Sequence, residues 1–236
     1  MLNTPADLLR LMQLADSALP IGAAAHSFGL ETLAVDGTLL PQHVEAFMRD
    51  LLIEVGTLEG LFCRAAYRLA STTTMTTFES EWLALNQRLS AFKLVRESRN
   101  ASARLGRRLL LLMLSLEQDQ LCFRWALRAA EQFQTDVHHA CAFGLCAGVL
   151  SLDEDATVLA YLQQTIISLV AACQKLMPLG QTQAAQLLWR LKPALVAAAE
   201  DSVSASIELD TACVFAPLID LASMRHPTLA TRLFMS

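Results

Sequence analysis

Apolar residues recur at helical spacing along most of this chain. In residues 42–55, Val44, Phe47, Met48, Leu51, Leu52 and Val55 fall at intervals of three and four, the period of an amphipathic helix. The same spacing predicts helices over 5–14, 58–70, 78–92, 94–116, 121–133, 137–150, 182–200 and 205–222, with a short last turn from Thr228. Thr4 is placed to cap the first helix and Pro5 suits its first turn. Asp153, Glu154 and Asp155 lead into a further charge-free stretch, 156–174, and complement the positive end of its dipole. Between these segments, residues 17–29 are broken by Pro20 and Gly22, and the polar run 71–77 reads as an internal loop. A second break, Pro178-Leu179-Gly180-Gln181-Thr182, sets the angle between two helices, with Thr182 expected as the cap of the second. No strand pattern and no internal repeat emerge. The expectation is an all-α protein, a single-domain bundle of about ten helices spanning residues 1–236.

Composition sharpens that picture. The chain is 54% hydrophobic with only 9 Gly, 7 Pro and 6% aromatic residues, and Leu and Ala dominate, which favours helix. Its net charge of −5 argues against a nucleic-acid surface. The mean hydropathy of +0.39 raises the question of a membrane, and 156–174 is long enough to cross one. Thr157, Gln164, Ser168 and Lys175 nevertheless form a polar stripe along it, as in a buried helix of a bundle, so no membrane partner is expected. No pair among the six cysteines has a two-residue gap and most lie among Ala, Leu and Phe, the pattern of buried free thiols in a reducing compartment. Asp7 and Arg10 interrupt the N-terminal apolar residues, so no secretory signal is read and a cytoplasmic location is expected.

Candidate chemistry is sparse. There is no phosphate-binding loop of the G-x-x-x-x-G-K-[ST] type, no H-E-x-x-H and no G-x-S-x-G. His138 shares a helical face with Cys141, and His139 with Cys146, but the two pairs point in different directions, whereas a metal needs three or four converging ligands. No metal and no cofactor are therefore expected. A helical enzyme using His138, His139 or a cysteine is kept as the alternative reading. Arg96, Asn100, Arg104 and Arg108 fall four apart on one ridge, accompanied by Arg99 and Arg107 and a single acid, Glu97. That ridge is either a solvated face or a docking face.

The most distinctive segment is the last. Met224, Leu229, Leu233, Phe234 and Met235 alternate with Arg225, His226 and Arg232, a mixture suited either to docking on a partner or to packing back on its own domain. Pro227 disfavours helix at His226, so 224–226 should leave extended, and Thr228 should cap a final turn that puts Leu229 and Leu233 on one face. Such a segment is expected to be mobile alone and to order on binding.

Four blocks together resemble one family. SMRHPTLATRLFMS at the C-terminus, LMQLADSALPIG followed by His26-Ser27-Phe28-Gly29-Leu30-Glu31, LMPLGQTQAAQLLW, and RESRNASARLGRRLL occur in the order found in the urease accessory protein UreF family. Ala23-Ala24-Ala25, His26 and Pro227 depart from the usual family residues. The resemblance implies an all-α, homodimeric, non-enzymatic assembly factor. It implies a UreD/UreH-type scaffold protein as partner, recruitment of the GTPase UreG to apo-urease, and nickel insertion there, with a modulatory role toward that GTPase also attached to the family. It points to Pro20, Gly22, His26, Ser27, Gly29, Glu31, Arg99, Gln181, Arg225, His226, Leu229, Arg232 and Phe234 as partner-binding residues, with 223–236 the docking tail and Arg225 a candidate to meet a phosphoryl group.

Overall fold

The fold is described from a computed structural model, over residues 4–72, 74–205 and 212–236. Within them the chain is helical with no strand: α1 (Pro5–Leu14), α2 (Leu30–Val35), α3 (Val44–Leu51), α4 (Thr57–Leu69), α5 (Met75–Phe92), α6 (Arg96–Leu116), α7 (Leu121–Gln132), α8 (His139–Val149), α9 (Glu154–Leu176), α10 (Gln181–Arg190), α11 (Lys192–Ala205) and α12 (Pro217–Arg225). Local sequence explains many of the ends. The Thr4 hydroxyl accepts from the Asp7 amide at 3.2 Å, as its position predicts. Thr74 caps α5 through the Thr77 amide, and Asp153 caps α9 through the Ala156 amide at 2.9 Å.

The centre of the molecule is α8, in which every residue from His139 to Ala147 is buried. Its composition explains how it fits there. It is rich in Ala, Cys and Gly, so neighbouring helices approach closely. At Gly144 an added Cβ would overlap the Cys63 carbonyl of α4, and the two backbones therefore run nearly in contact. On another side α8 packs on α6, where Ala101, Leu105 and Leu109 face inward as their spacing predicts. Phe62, Phe78, Trp82, Phe123 and Tyr161 complete the core. Arg64 is buried within it and ties three helices together: it donates to Asp155 at 2.6 Å, to the Ser202 hydroxyl at 2.9 Å and to the Ala199 carbonyl at 3.0 Å. A buried guanidinium with its donors this fully used avoids the cost of a desolvated lone charge.

Several boundaries differ from expectation. Residues 42–55 and 58–70 are not separate helices, because a π-type turn, Leu52–Gly56, carries α3 straight into α4. The stretch 182–200 divides at Leu191 into α10 and α11, since Pro193 lacks an amide and its ring obstructs the preceding turn. The cap of α10 is Gly180, whose amide donates to the Gln183 side chain at 3.0 Å, and Thr182 stands exposed inside the helix. In 205–222 residues 206–211 lie outside the described set, and helix resumes only at Pro217. The helix expected over 94–116 begins at Arg96, and Leu94 before it is exposed. Helix α9 has the length and composition to cross a membrane, yet over half of it is buried in the bundle, Thr157 and Gln164 included.

The α8–α4 contact yields a test whose sign is diagnostic. Helix propensity alone would make Gly144→Ala stabilising by about 0.8–1 kcal/mol. Overlap with the Cys63 carbonyl should reverse this to a loss of about 1–3 kcal/mol, read by urea unfolding followed by circular dichroism.

Candidate functional site

The C-terminal segment closes back on the N-terminal loop, and one carboxylate organises the closure. Glu31, in the first turn of α2, is buried. Its oxygens accept from the Leu233 amide at 2.5 Å, the Phe234 amide at 3.1 Å and His226 Nε2 at 2.9 Å. The other ring nitrogen of His226 meets Glu97 at 2.8 Å, and Arg232 reaches the same carboxylate at 3.7 Å. A carboxylate oxygen only accepts, so the Leu233 and Phe234 amides are donors to Glu31. Burial works against the charged form of Glu31, but the two amides and His226 outweigh it and hold its carboxyl below the ordinary range.

Backbone geometry prepares the loop that receives the tail. Phe28 and Gly29 both have positive φ, 50° and 89°. Gly29 is needed twice over: for that conformation, and because a Cβ would stand 2.6 Å from the Ser223 hydroxyl of α12. The resulting turn points the Ser27 and Phe28 amides at the Ser236 carbonyl, at 2.5 and 3.1 Å, and the Ser27 hydroxyl adds a third bond at 2.9 Å. His26 Nδ1 lies 2.8 Å from the Ser236 hydroxyl, and burial followed by the charges of Arg104 and Arg108 lowers its pKa. The Met235 amide donates to the Ala25 carbonyl at 2.9 Å. Phe234 is buried with the Lys175 ammonium 5.4 Å above its ring.

Of the residues expected to matter, His26, Ser27, Gly29, Glu31, His226 and Phe234 converge in this clasp. Gly22 also has positive φ and lies beside Arg108, which donates to the Ile21 carbonyl at 3.2 Å. Arg225 and Arg232 stand at the rim, the former paired with Asp36 at 2.8 Å. Leu229 is half-buried and Pro20 exposed. Arg99 and Gln181 lie outside the set that bonds the tail: Arg99 donates to the Lys93 carbonyl at 3.4 Å, and Gln181 is exposed at the start of α10. Glu97, Asp36 and Ser236 escaped the sequence reading, though Glu97 had left one signal as the single acid of a basic helix.

Two expectations about the tail need correction. Met224 and Arg225 are not extended but end α12, and His226–Thr228 continues as a 3-10 turn. The preference of a pre-proline residue for extended backbone yields here to two carboxylates that fix the His226 ring. Thr228 caps nothing; its hydroxyl donates to the Arg225 carbonyl at 2.7 Å, and no helix follows. The tail is docked on its own domain, one of the two arrangements its composition allowed.

What the clasp leaves exposed is as informative as what it buries. With Ala222 and Ser223 turned inward, α12 directs Leu218, Leu221 and Met224 outward, and Phe215, Leu233 and Met235 extend the same apolar exposure. Phe215 is the most exposed of them, at 78%.

The alternative chemistry finds little support. His138 and His139 are buried, and burial lowers their pKa values to about 3 and about 4, leaving both rings neutral. His138 is held by the Ser90 hydroxyl at 2.7 Å and the Ser102 hydroxyl at 3.2 Å. Burial pushes the Cys63, Cys141 and Cys146 thiols well up, and Cys173 to about 12, so none is a thiolate near neutrality. Among the described residues no three His, Cys, Asp or Glu side chains are placed to share a metal ion. A cavity of about 170 Å³ beside α9 is lined by Leu105, Leu162, Ile166 and Leu169. At its polar end Glu59 is already engaged by Lys93 and Tyr161.

Comparison with known proteins places the chain. A family model for UreF matches residues 40–192. The urease accessory protein UreF of Nostoc sp. is 34% identical over 230 residues, covering 97% of this chain and 95% of that protein. The protein of the same name from Lachnoclostridium phytofermentans is 35% identical, with 97% and 98% covered, and that from Geobacillus kaustophilus is 30% identical, with 99% and 100% covered. Relatives that align over nearly their whole length, and a family model covering the central helices, agree: this chain belongs to the UreF family.

Proposed function

We propose that this protein is a urease accessory factor that acts by presenting a shaped helical surface and carries no bond-making chemistry of its own. Working as a homodimer in the cytoplasm, it binds a UreD/UreH-type scaffold protein, and the pair recruits the GTPase UreG to apo-urease for nickel insertion. The observation that carries this reading is the clasped C-terminus with its outward apolar face. Glu31 spends buried hydrogen-bonding capacity on holding the tail in one place, while Leu218, Leu221, Met224 and Leu233 are left facing solvent. A monomer gains nothing from such an exposure, and a partner's apolar face would cover it. The domain thus supplies a pre-ordered tail, so little ordering entropy opposes association. Arg225 and Arg232 at the rim favour a partner carrying carboxylates beside its apolar residues.

Two measurements test this. Leu221→Asp combined with Met224→Asp alters exposed positions only and should shift stability by less than about 0.5 kcal/mol. Each large apolar side chain removed from a buried contact costs roughly 1.5–3 kcal/mol, so co-purification with the scaffold protein should fall by more than about tenfold. Undiminished capture would refute the assignment of this face.

The second concerns the clasp. Glu31→Ala strands His226 and two amides and should cost about 3–5 kcal/mol in chemical unfolding. Because the native pKa of Glu31 is depressed, its contribution is complete above the ordinary value of 4.5 and is lost as pH falls through the lower native value. Hydrogen exchange at Leu233 and Phe234 should accelerate across that acid window in the wild type, whereas in Glu31→Gln no acid step should remain.

A further inference from the structure

The inner face of α12 closes one side of the cavity beside α9. Ile219 and Asp220 stand four and three residues before Ser223, on the helix face turned away from Leu218, Leu221 and Met224, and all three line the cavity. Leu105 of α6 and Leu162, Ile166 and Leu169 of α9 line it too. Its volume of about 170 Å³ compares with the roughly 150 Å³ of an apolar protein cavity that takes up benzene. An aromatic ring with a short substituent therefore fits.

Charge within the cavity does not balance. Among the described residues Lys93 is the one lysine or arginine in the wall, and its ammonium donates to Glu59. The other oxygen of that carboxylate accepts from the Tyr161 hydroxyl, so this corner is neutral and internally satisfied. His139, its pKa lowered to about 4 by burial, adds no charge. Asp220 is left over. Its carboxylate makes no hydrogen bond and no ion pair among the described residues, and burial raises its pKa against the pull of Lys93. A carboxylate drawn partly out of water without a donor is costly, and an ammonium beside it offsets that cost. An anion would be repelled by Asp220, and a neutral apolar molecule would leave it unpaired.

We propose that this cavity binds a small organic ammonium, its apolar body among Leu105, Leu162, Ile166 and Leu169 and its N–H groups donating to Asp220. The site goes beyond the urease accessory reading, which calls for no small ligand. Because α12 supplies both the carboxylate and the outward ridge, occupancy braces that helix against the bundle. A ligand that binds only the folded arrangement stabilises it by mass action.

Titration calorimetry on the purified full chain, with three probes of similar size, tests the assignment: benzylamine (an ammonium at neutral pH), benzyl alcohol and benzoate. Benzylamine should bind saturably and at least about tenfold more tightly than benzyl alcohol, the scale of one charge-assisted hydrogen bond, and benzoate should not bind. Asp220→Asn changes a partly exposed side chain without partners, so the melting temperature of the free protein should hold. In that variant benzylamine should fall to the affinity of benzyl alcohol, whose own binding stays unchanged. Equal wild-type affinity for amine and alcohol would overturn the site, as would benzylamine binding that survives Asp220→Asn. So would the absence of saturable benzylamine binding. The probe series in the wild type decides even where the variant fails to fold.

Discussion

A carboxylate buried near one end of the chain must be satisfied by groups from the other end. Glu31 sits in the first turn of a six-residue helix, too short to hold itself together without tertiary contacts. Its three hydrogen-bond donors come from residues 195 to 203 positions later. That single requirement fixes α12 against α2, demands glycine at position 29 where α12 approaches, and draws Phe234 under Lys175. His226 carries the constraint further, because its second nitrogen reaches Glu97 and so fastens the tail to α6. Four elements distant in sequence are thereby referred to one polar centre.

The centre is polar, and the rest of the interior is not, which divides the labour between specificity and stability. Helix α8 contributes close backbone packing with few polar atoms, and its cysteines behave as small apolar groups whose thiols burial keeps protonated. The hydrophobic core would tolerate a tail in several positions. The buried carboxylate tolerates one, because any displacement leaves Glu31 desolvated without its amides.

Legibility in the sequence followed the range of the interactions. Helices α1, α6, α7 and α9 could be read to within about two residues, because periodicity and caps are local. The π-type turn at Leu52–Gly56 could not, since no side chain announces it. The break at Leu191 was signalled by Pro193, but the unbroken apolar pattern on either side concealed it. At the site, His26, Ser27, Gly29, Glu31 and His226 stood out through family motifs, while their mutual contacts span the length of the chain and leave no trace in local spacing. The extended backbone expected at His226 failed for the same reason: a local preference, small in energy, met two charged partners that local sequence cannot reveal.

The two apolar exposures follow from opposite causes. On α11, Val196 and Val203 stand partly exposed seven residues apart, and local periodicity alone sets the face they take. On α12 the outward ridge exists only because Glu31, Gly29 and Ser223 pin the helix with its other side inward, so its orientation is a tertiary product. A change that loosens the clasp would therefore rotate or release the α12 ridge and leave the α11 stripe untouched. The two exposures are thus separable, since only the α12 ridge depends on contacts between distant parts of the chain.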